Sequence, residues 1–187
     1  MPRAAIALTL AGLVALSGCS WVSSPVGWFS SSSAPTGPPP AACPSTTVLR
    51  PLAQTVVFAP GAPRQPTGVA FYGILSEVSA KCDRAGDTVR AALDVIVIGE
   101  RGPSAAKADG VDLQYFVAAT GPDQAVLSKR SFAVHIPLAA DARRSGVTDH
   151  IEQTIPLGGR TPGEVSIVLG FQQGPEIVDF YKHFRGR

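Results

Sequence analysis

Three thiols and three imidazoles carry most of the reactive chemistry that this 187-residue chain offers. Cys19, Cys43 and Cys82 are soft nucleophiles, suited to acylation, disulfide formation or metal ligation. His135, His150 and His183 are the groups able to move a proton near neutral pH. The histidines are scattered: His135 falls on an outward strand position, His150 just before a strand, and His183 near the C-terminus. A Ser-His-Asp triad would have to assemble in space, and nothing in the spacing points to one. No GxSxG elbow, HExxH zinc helix, P-loop or EF-hand loop is present. Asp83 and Asp87 flank one expected turn, and Asp109 and Asp112 lie in and after a longer loop. A Ca²⁺ cage needs about six to eight oxygens, so these aspartates read as turn formers. The expectation is a protein that is not an enzyme, with no catalytic residue, no cofactor and no metal.

The thiol at position 19 has the most specific surroundings. Arg3 opens the chain, and an apolar run from Ala4 to Leu16 follows. That length suits a signal-peptide core and falls short of the ~20 residues of a membrane-spanning helix. Leu16-Ser17-Gly18-Cys19 then resembles the lipobox of bacterial lipoproteins, in which leucine and two small residues precede the cysteine. The resemblance implies a diacylglyceryl group on Cys19, cleavage after Gly18 and acylation of the new N-terminus. Several acyl chains anchor stably where a single chain binds only marginally. Ser20, in place of aspartate, implies sorting to the outer membrane, facing the periplasm.

Export also bears on the other two cysteines. In an oxidising compartment a remaining pair, Cys43 and Cys82, is most simply a disulfide. Metal binding by these two thiolates lacks CxxC spacing and a nearby histidine. Charge excludes a further class. Residues 1–18 hold one arginine and no acid, so removing them takes the formal charge from +2 to +1. Nucleic-acid binding needs clustered cations to displace counterions, and none is expected here. The chain has twelve Arg, four Lys and no Asn, a bias that fits a GC-rich genome rather than a function. Arg143-Arg144 reads as part of a solvated polar loop.

These residues imply three segments: a signal peptide over 1–18, a lipid-anchored tether over 19–42, and a folded domain over 43–187. The tether is rich in Ser, Pro and Gly and uncharged, so it cannot bury enough apolar surface to offset its ordering entropy. Its reach is roughly 25 Å as a coil and about 70 Å if stretched as polyproline II. Both tryptophans, Trp21 and Trp28, lie there with Phe29, and tryptophan favours the bilayer interface. These three side chains either rest on the lipid surface or stand exposed along the tether.

From Cys43 on, short apolar alternations separated by Gly, Pro and Asp predict about seven strands. They cover Val48–Phe58, Gly68–Ala80, Thr88–Ile98, Val111–Thr120, Ala125–Leu138, Ile151–Leu157 and Glu164–Gln172. The first is irregular at Pro51. In the third, Val89, Ala91, Leu93, Val95 and Val97 point one way. In the fifth, Val126, Phe132, Val134, Ile136 and Leu138 are expected to face inward. Ala139–Thr148 reads as a polar segment with a helical turn, and Pro175-Glu176 opens a short helix running through Phe184. The fold class is all-β, an antiparallel, immunoglobulin-like β-sandwich, with a small closed barrel as the alternative. An antibody-type core is excluded, since the folded part holds no tryptophan. If the first two strands formed a hairpin, Cys43 and Cys82 would meet at its open end.

The aromatic C-terminal residues Phe171, Phe180, Tyr181 and Phe184 are expected in the core or docked on the sandwich. Beyond the lipobox, Ala42-Cys43-Pro44 with Val48-Leu49, and Val168-Leu169-Gly170-Phe171-Gln172, resemble a group of uncharacterised proteobacterial envelope lipoproteins. The leading expectation is a non-enzymatic, membrane-anchored envelope protein that binds a protein partner or serves envelope assembly. The alternative is a periplasmic module that binds a small ligand or glycan, and a hydrolase comes last. A buried apolar pocket with converging polar groups would favour the ligand module, tight clustering of His135 or His150 with acids in a cleft the hydrolase, and a flat exposed apolar patch without a cleft the partner protein.

Overall fold

The computed structural model describes residues 43–105 and 108–184. The lipobox, Cys19, the tether and the aromatic residues Trp21, Trp28 and Phe29 lie outside the described residues. Alternating apolar side chains build eight strands among the described residues: β1 Ser45–Val48, β2 Gln54–Phe58, β3 Val69–Ala85, β4 Thr88–Arg101, β5 Gly110–Thr120, β6 Val126–Pro137, β7 Arg144–Pro156 and β8 Ser166–Phe171. Helix α1, Pro175–His183, follows. Two four-stranded sheets face each other, one in the order β1-β8-β5-β6 and the other β2-β3-β4-β7. All pairings are antiparallel except that of β1 with β8. The fold is the expected all-β sandwich. Its consecutive β2-β3-β4 meander gives a strand order other than the ABED and CFG sheets of an immunoglobulin domain.

The core lies between the sheets. Val89, Ala91, Leu93, Val95 and Val97 of β4 are all buried, facing Val111, Leu113, Tyr115 and Val117 of β5. Each large side chain removed from water there contributes about 1.5–3 kcal/mol. Gly86, at φ +61°, forms the tight turn that joins β3 to β4, a conformation that favours glycine.

Four expectations change. The first expected strand is two strands in different sheets, split by a 3₁₀ turn over Arg50–Leu52 that places Pro51 at the crossing. Proline has no amide proton for a ladder, and here it marks where the chain changes sheet. Cys43 and Cys82 are bonded, with Cα atoms 5.4 Å apart, but not at the end of a hairpin. Cys43 leads into β1 and Cys82 sits on β3, so the bond ties one sheet to the other. Arg144–His150 is strand rather than a polar turn, because Val147 and Asp149 take inward positions on β7 opposite Val97 and Val95. Val126 is 62% exposed, because a register shift at Ala119/Thr120 breaks the alternation at that end of β6.

Candidate functional site

The histidines fall on separate surfaces. Imidazole Nδ1 of His135 lies 2.8 Å from Asp112 Oδ1, its cross-strand neighbour on β5. Nδ1 of His150 lies 2.6 Å from Asp94 Oδ1, its neighbour on β4, so His150 is within a strand rather than before one. These two exposed pairs stand on the outer faces of opposite sheets and cannot act on one substrate. His183 bonds within α1, with Nδ1 at 2.9 Å from the Asp179 carbonyl oxygen. Of the other aspartates, Asp87 and Asp123 hold turns, while Asp83 lies within β3 rather than at the turn. Asp87 accepts from the Gly159 amide at 2.8 Å, and Asp123 accepts from the Ala125 amide at 3.2 Å. Among the described residues no group of three or more His, Cys, Asp or Glu side chains could hold a metal ion.

A different site comes from the outer face of the β2-β3-β4-β7 sheet. Toward the hairpin turn, β4 points Arg90 and Asp94 outward; further along, the outward positions are Ile96 and Ile98. Ile98 pairs with Ile74 of β3 and with Gly146 of β7. The glycine leaves space: a Cβ built there would meet the Ile98 side chain at 3.4 Å. Beside Ile74 stands Tyr72, paired with Glu100. Helix α1 covers one side. Phe180 buries itself against Val56, Val69 and Phe58, stacking edge-on with the Phe58 ring at 5.5 Å. The last turn of the helix then overhangs the sheet, with Tyr181 and the 41%-exposed Phe184 at its border.

Two adjoining cavities result. One, of about 1150 Å³, is bordered by Tyr72, Ile74, Glu100, Arg143, Tyr181 and Phe184 among others. The second, of about 490 Å³, continues it over Ile96, Ile98 and Gly146 to Arg144. The pairing of Ile74 with Ile98 joins their floors. Together they form a trough crossing β3, β4 and β7, which adjacent strand spacings put on the order of 10 Å across. Burial, and then the neighbouring Tyr72, push the Tyr181 phenol up to about 12.

The charged end of the trough is rigidly built. Arg101 donates from Nε to the Ala142 carbonyl at 3.0 Å and from Nη2 to the Ala108 and Leu138 carbonyls at 2.7 and 3.1 Å. It thereby ties the loop after β4 to the loop before β7. The latter presents Arg143, which bridges Glu100 at 3.3 Å while its side chain stays 84% exposed. Arg144 lies directly across from Glu100 in the strand register. Two arginines against one glutamate leave this end positive.

No family model, curated protein or solved structure matches this chain. The geometry therefore stands without a relative to borrow from. Of the histidines singled out in the sequence only His183 borders the trough, and the other residues lining it were assigned no site role. A signal for it was present in the unbroken apolar run Val95-Ile96-Val97-Ile98, where the outward positions stop being polar. Phe171 is in the core and Phe180 docks the helix on the sandwich, as expected. No helix among the described residues is long and apolar enough to cross a membrane.

Proposed function

We propose that this chain is a non-enzymatic lipoprotein of the cell envelope whose β-sandwich is a ligand-binding module. The trough on the β2-β3-β4-β7 sheet carries this reading, since it combines an apolar floor with converging tyrosines, arginines and one glutamate. Its larger cavity is about the size of small-molecule sites, which run to about 1,000 Å³. The trough is open rather than enclosed, and its converging polar groups give the ligand reading precedence over a protein-docking surface. The lipobox at Leu16–Cys19 supports anchoring through acyl chains on Cys19, with the domain held toward the periplasm by residues 19–42. In this reading Trp21, Trp28 and Phe29 rest on the lipid surface. Retention at the outer membrane follows from Ser20 on the same grounds.

A protein partner is the second reading, favoured by the exposed Val178 and Phe184 on the outside of α1. One experiment separates the two. A photo-crosslinking residue replaces Ile98 in the trough or the exposed Gln114 on the outer face of the other sheet, and intact cells are irradiated. The ligand module predicts a small added mass at Ile98 and none at Gln114. A protein-sized adduct at Ile98 supports the second reading, and equal labelling at both positions contradicts a site in the trough.

A further inference from the structure

We infer that the trough takes a single-chain anionic amphiphile, a fatty-acid anion, with its chain on the isoleucines and its carboxylate at Arg143 and Arg144. This inference rests on the ligand-module reading and gives the ligand's chemical class. The floor offers Ile74, Ile96 and Ile98 on two neighbouring strands. Tyr72, Glu100 and Arg144 stand in one cross-strand row at its end, where Arg143 bridges Glu100, and Gln54, Tyr181 and His183 border the side under α1. An occupant must match that asymmetry, with an apolar body and one negative end. Guanidinium groups bind carboxylates in fork geometry, and two arginines facing one glutamate leave a cation to spare.

The sheet beneath adds a second constraint. Strands β3 and β4 are paired on both sides, so their amides and carbonyls are spent in the ladders. An extended peptide laid across β3 and β4 would find no backbone partner on the isoleucine floor. Of the three trough strands only β7, the edge strand, has a side without a sheet partner, and a peptide pairing there would lie beside the floor rather than on it. On the floor itself a peptide's amides would be desolvated without hydrogen bonds, which is costly. A hydrocarbon chain has no such groups to satisfy. The cover is suited to it as well. Helix α1 has nine residues, is pinned near its start by Gln173 Nε2 donating to the Gln54 carbonyl at 2.6 Å, and is held in its middle by Phe180. Its last turn, with Tyr181 and Phe184, lies over the mouth of the larger cavity and forms its wall.

The test uses residues 20–187 exported behind a cleavable leader, which carry no acyl chain, and amide spectra followed during titration below micelle-forming concentrations. Laurate is the probe; dodecyltrimethylammonium shares its chain and reverses its charge; butyrate shares its carboxylate and lacks the chain. Saturable shifts at Gly73, Ile98 and Gly146 are expected with laurate. Binding of the cation is expected to be weaker by about tenfold or more, and butyrate is expected to leave the spectrum unchanged. The double variant Arg143→Gln/Arg144→Gln should bring laurate down to the level of the cation. Gly146→Leu should abolish binding with an otherwise folded spectrum, since the added Cβ meets only ordinary contacts. Equal binding of both charged probes, no shift with laurate, or shifts that follow protein concentration through self-association would each overturn the inference. If laurate fails while the Ile98 crosslinker still captures a small molecule, the ligand module stands and the fatty-acid assignment falls.

Discussion

The hydroxyl of Tyr115 donates to Asp149 Oδ2 at 2.8 Å, joining β5 of one sheet to β7 of the other through the interior. Tyr115 is fully buried, and its ring stacks on Phe132 with centroids 5.6 Å apart. Burial first, then the hydrogen bond and charge of Asp149, hold its phenol far above the ordinary tyrosine range. The same seam contains Gln153, whose Nε2 donates to Ser128 Oγ at 3.1 Å, and Arg130, which donates to the Glu152 carbonyl at 3.3 Å. Polar contacts therefore close the sandwich at its β6/β7 side. Tyr115→Phe removes the bond to a carboxylate that is only half-buried and so able to recruit water. A loss of about 1.5 kcal/mol is expected, the low end for a bond to a charged group. Urea denaturation checks it, with an unchanged slope and a lower midpoint.

At the opposite side the closure is covalent. Cys43 and Cys82 are 39 residues apart in sequence and join the sheets. Replacing both by serine frees the unfolded chain and is expected to cost about 3–4 kcal/mol. The measurement is the denaturation midpoint of the double variant against the oxidised chain. A change below ~1 kcal/mol would show that packing alone holds β1 in place.

How much of this was legible beforehand depended on whether inward positions were apolar. The β4 and β5 alternations announced themselves, because every inward residue from Val89 to Val97 and from Val111 to Val117 is hydrophobic or Tyr115. The start of β7 did not, because Asp149 takes an inward position and is satisfied by a tyrosine thirty-four residues away in sequence. Pro51 was visible as an irregularity, but a break within one strand and a crossing between sheets have the same local signature. The disulfide was read correctly from export chemistry although its place in the topology was not. The trough combines Tyr72, Glu100, Arg143 and Tyr181, which only the strand register brings together.

Tyr181 reports on the cavity through its titration. Its phenol is raised in the folded state from 10.0 to about 12. The sign follows directly: the neutral phenol is the form favoured by folding. The stability it contributes is present in full below pH ~10 and is lost as pH rises towards ~12. Tyrosinate absorbance should show two late-titrating groups, Tyr115 the later, of which the earlier disappears in Tyr181→Phe. A titration in Tyr181→Phe that matches the parent chain would contradict a buried phenol beneath α1.

On the acid side, Glu164 behaves in the reverse sense. Its carboxylate accepts from the Thr161 amide and hydroxyl, each at 2.8 Å, and these bonds hold its pKa below the usual glutamate value. Its contribution is present above the unfolded-state pKa and fades as pH falls through the folded one. Glu164→Gln should flatten the acid limb of the stability profile and leave the neutral region little changed, as read by thermal melts across pH.

The anchor is tested by mass. The parent chain should be cleaved after Gly18 and carry acyl chains at Cys19, while Cys19→Ser should keep its leader and carry none. A mature parent chain without acyl mass at Cys19 would contradict lipid attachment there.

The trough itself has a more direct test. The acyl-free chain of residues 20–187 and its Gly146→Leu derivative are purified without detergent from the cells that make them, then denatured and extracted into organic solvent for mass spectrometry. The account predicts a small amphiphilic molecule released from the first protein and depleted in the second. Matching extracts from the two proteins, or no released molecule at all, would contradict a ligand seated on Ile98 and Gly146.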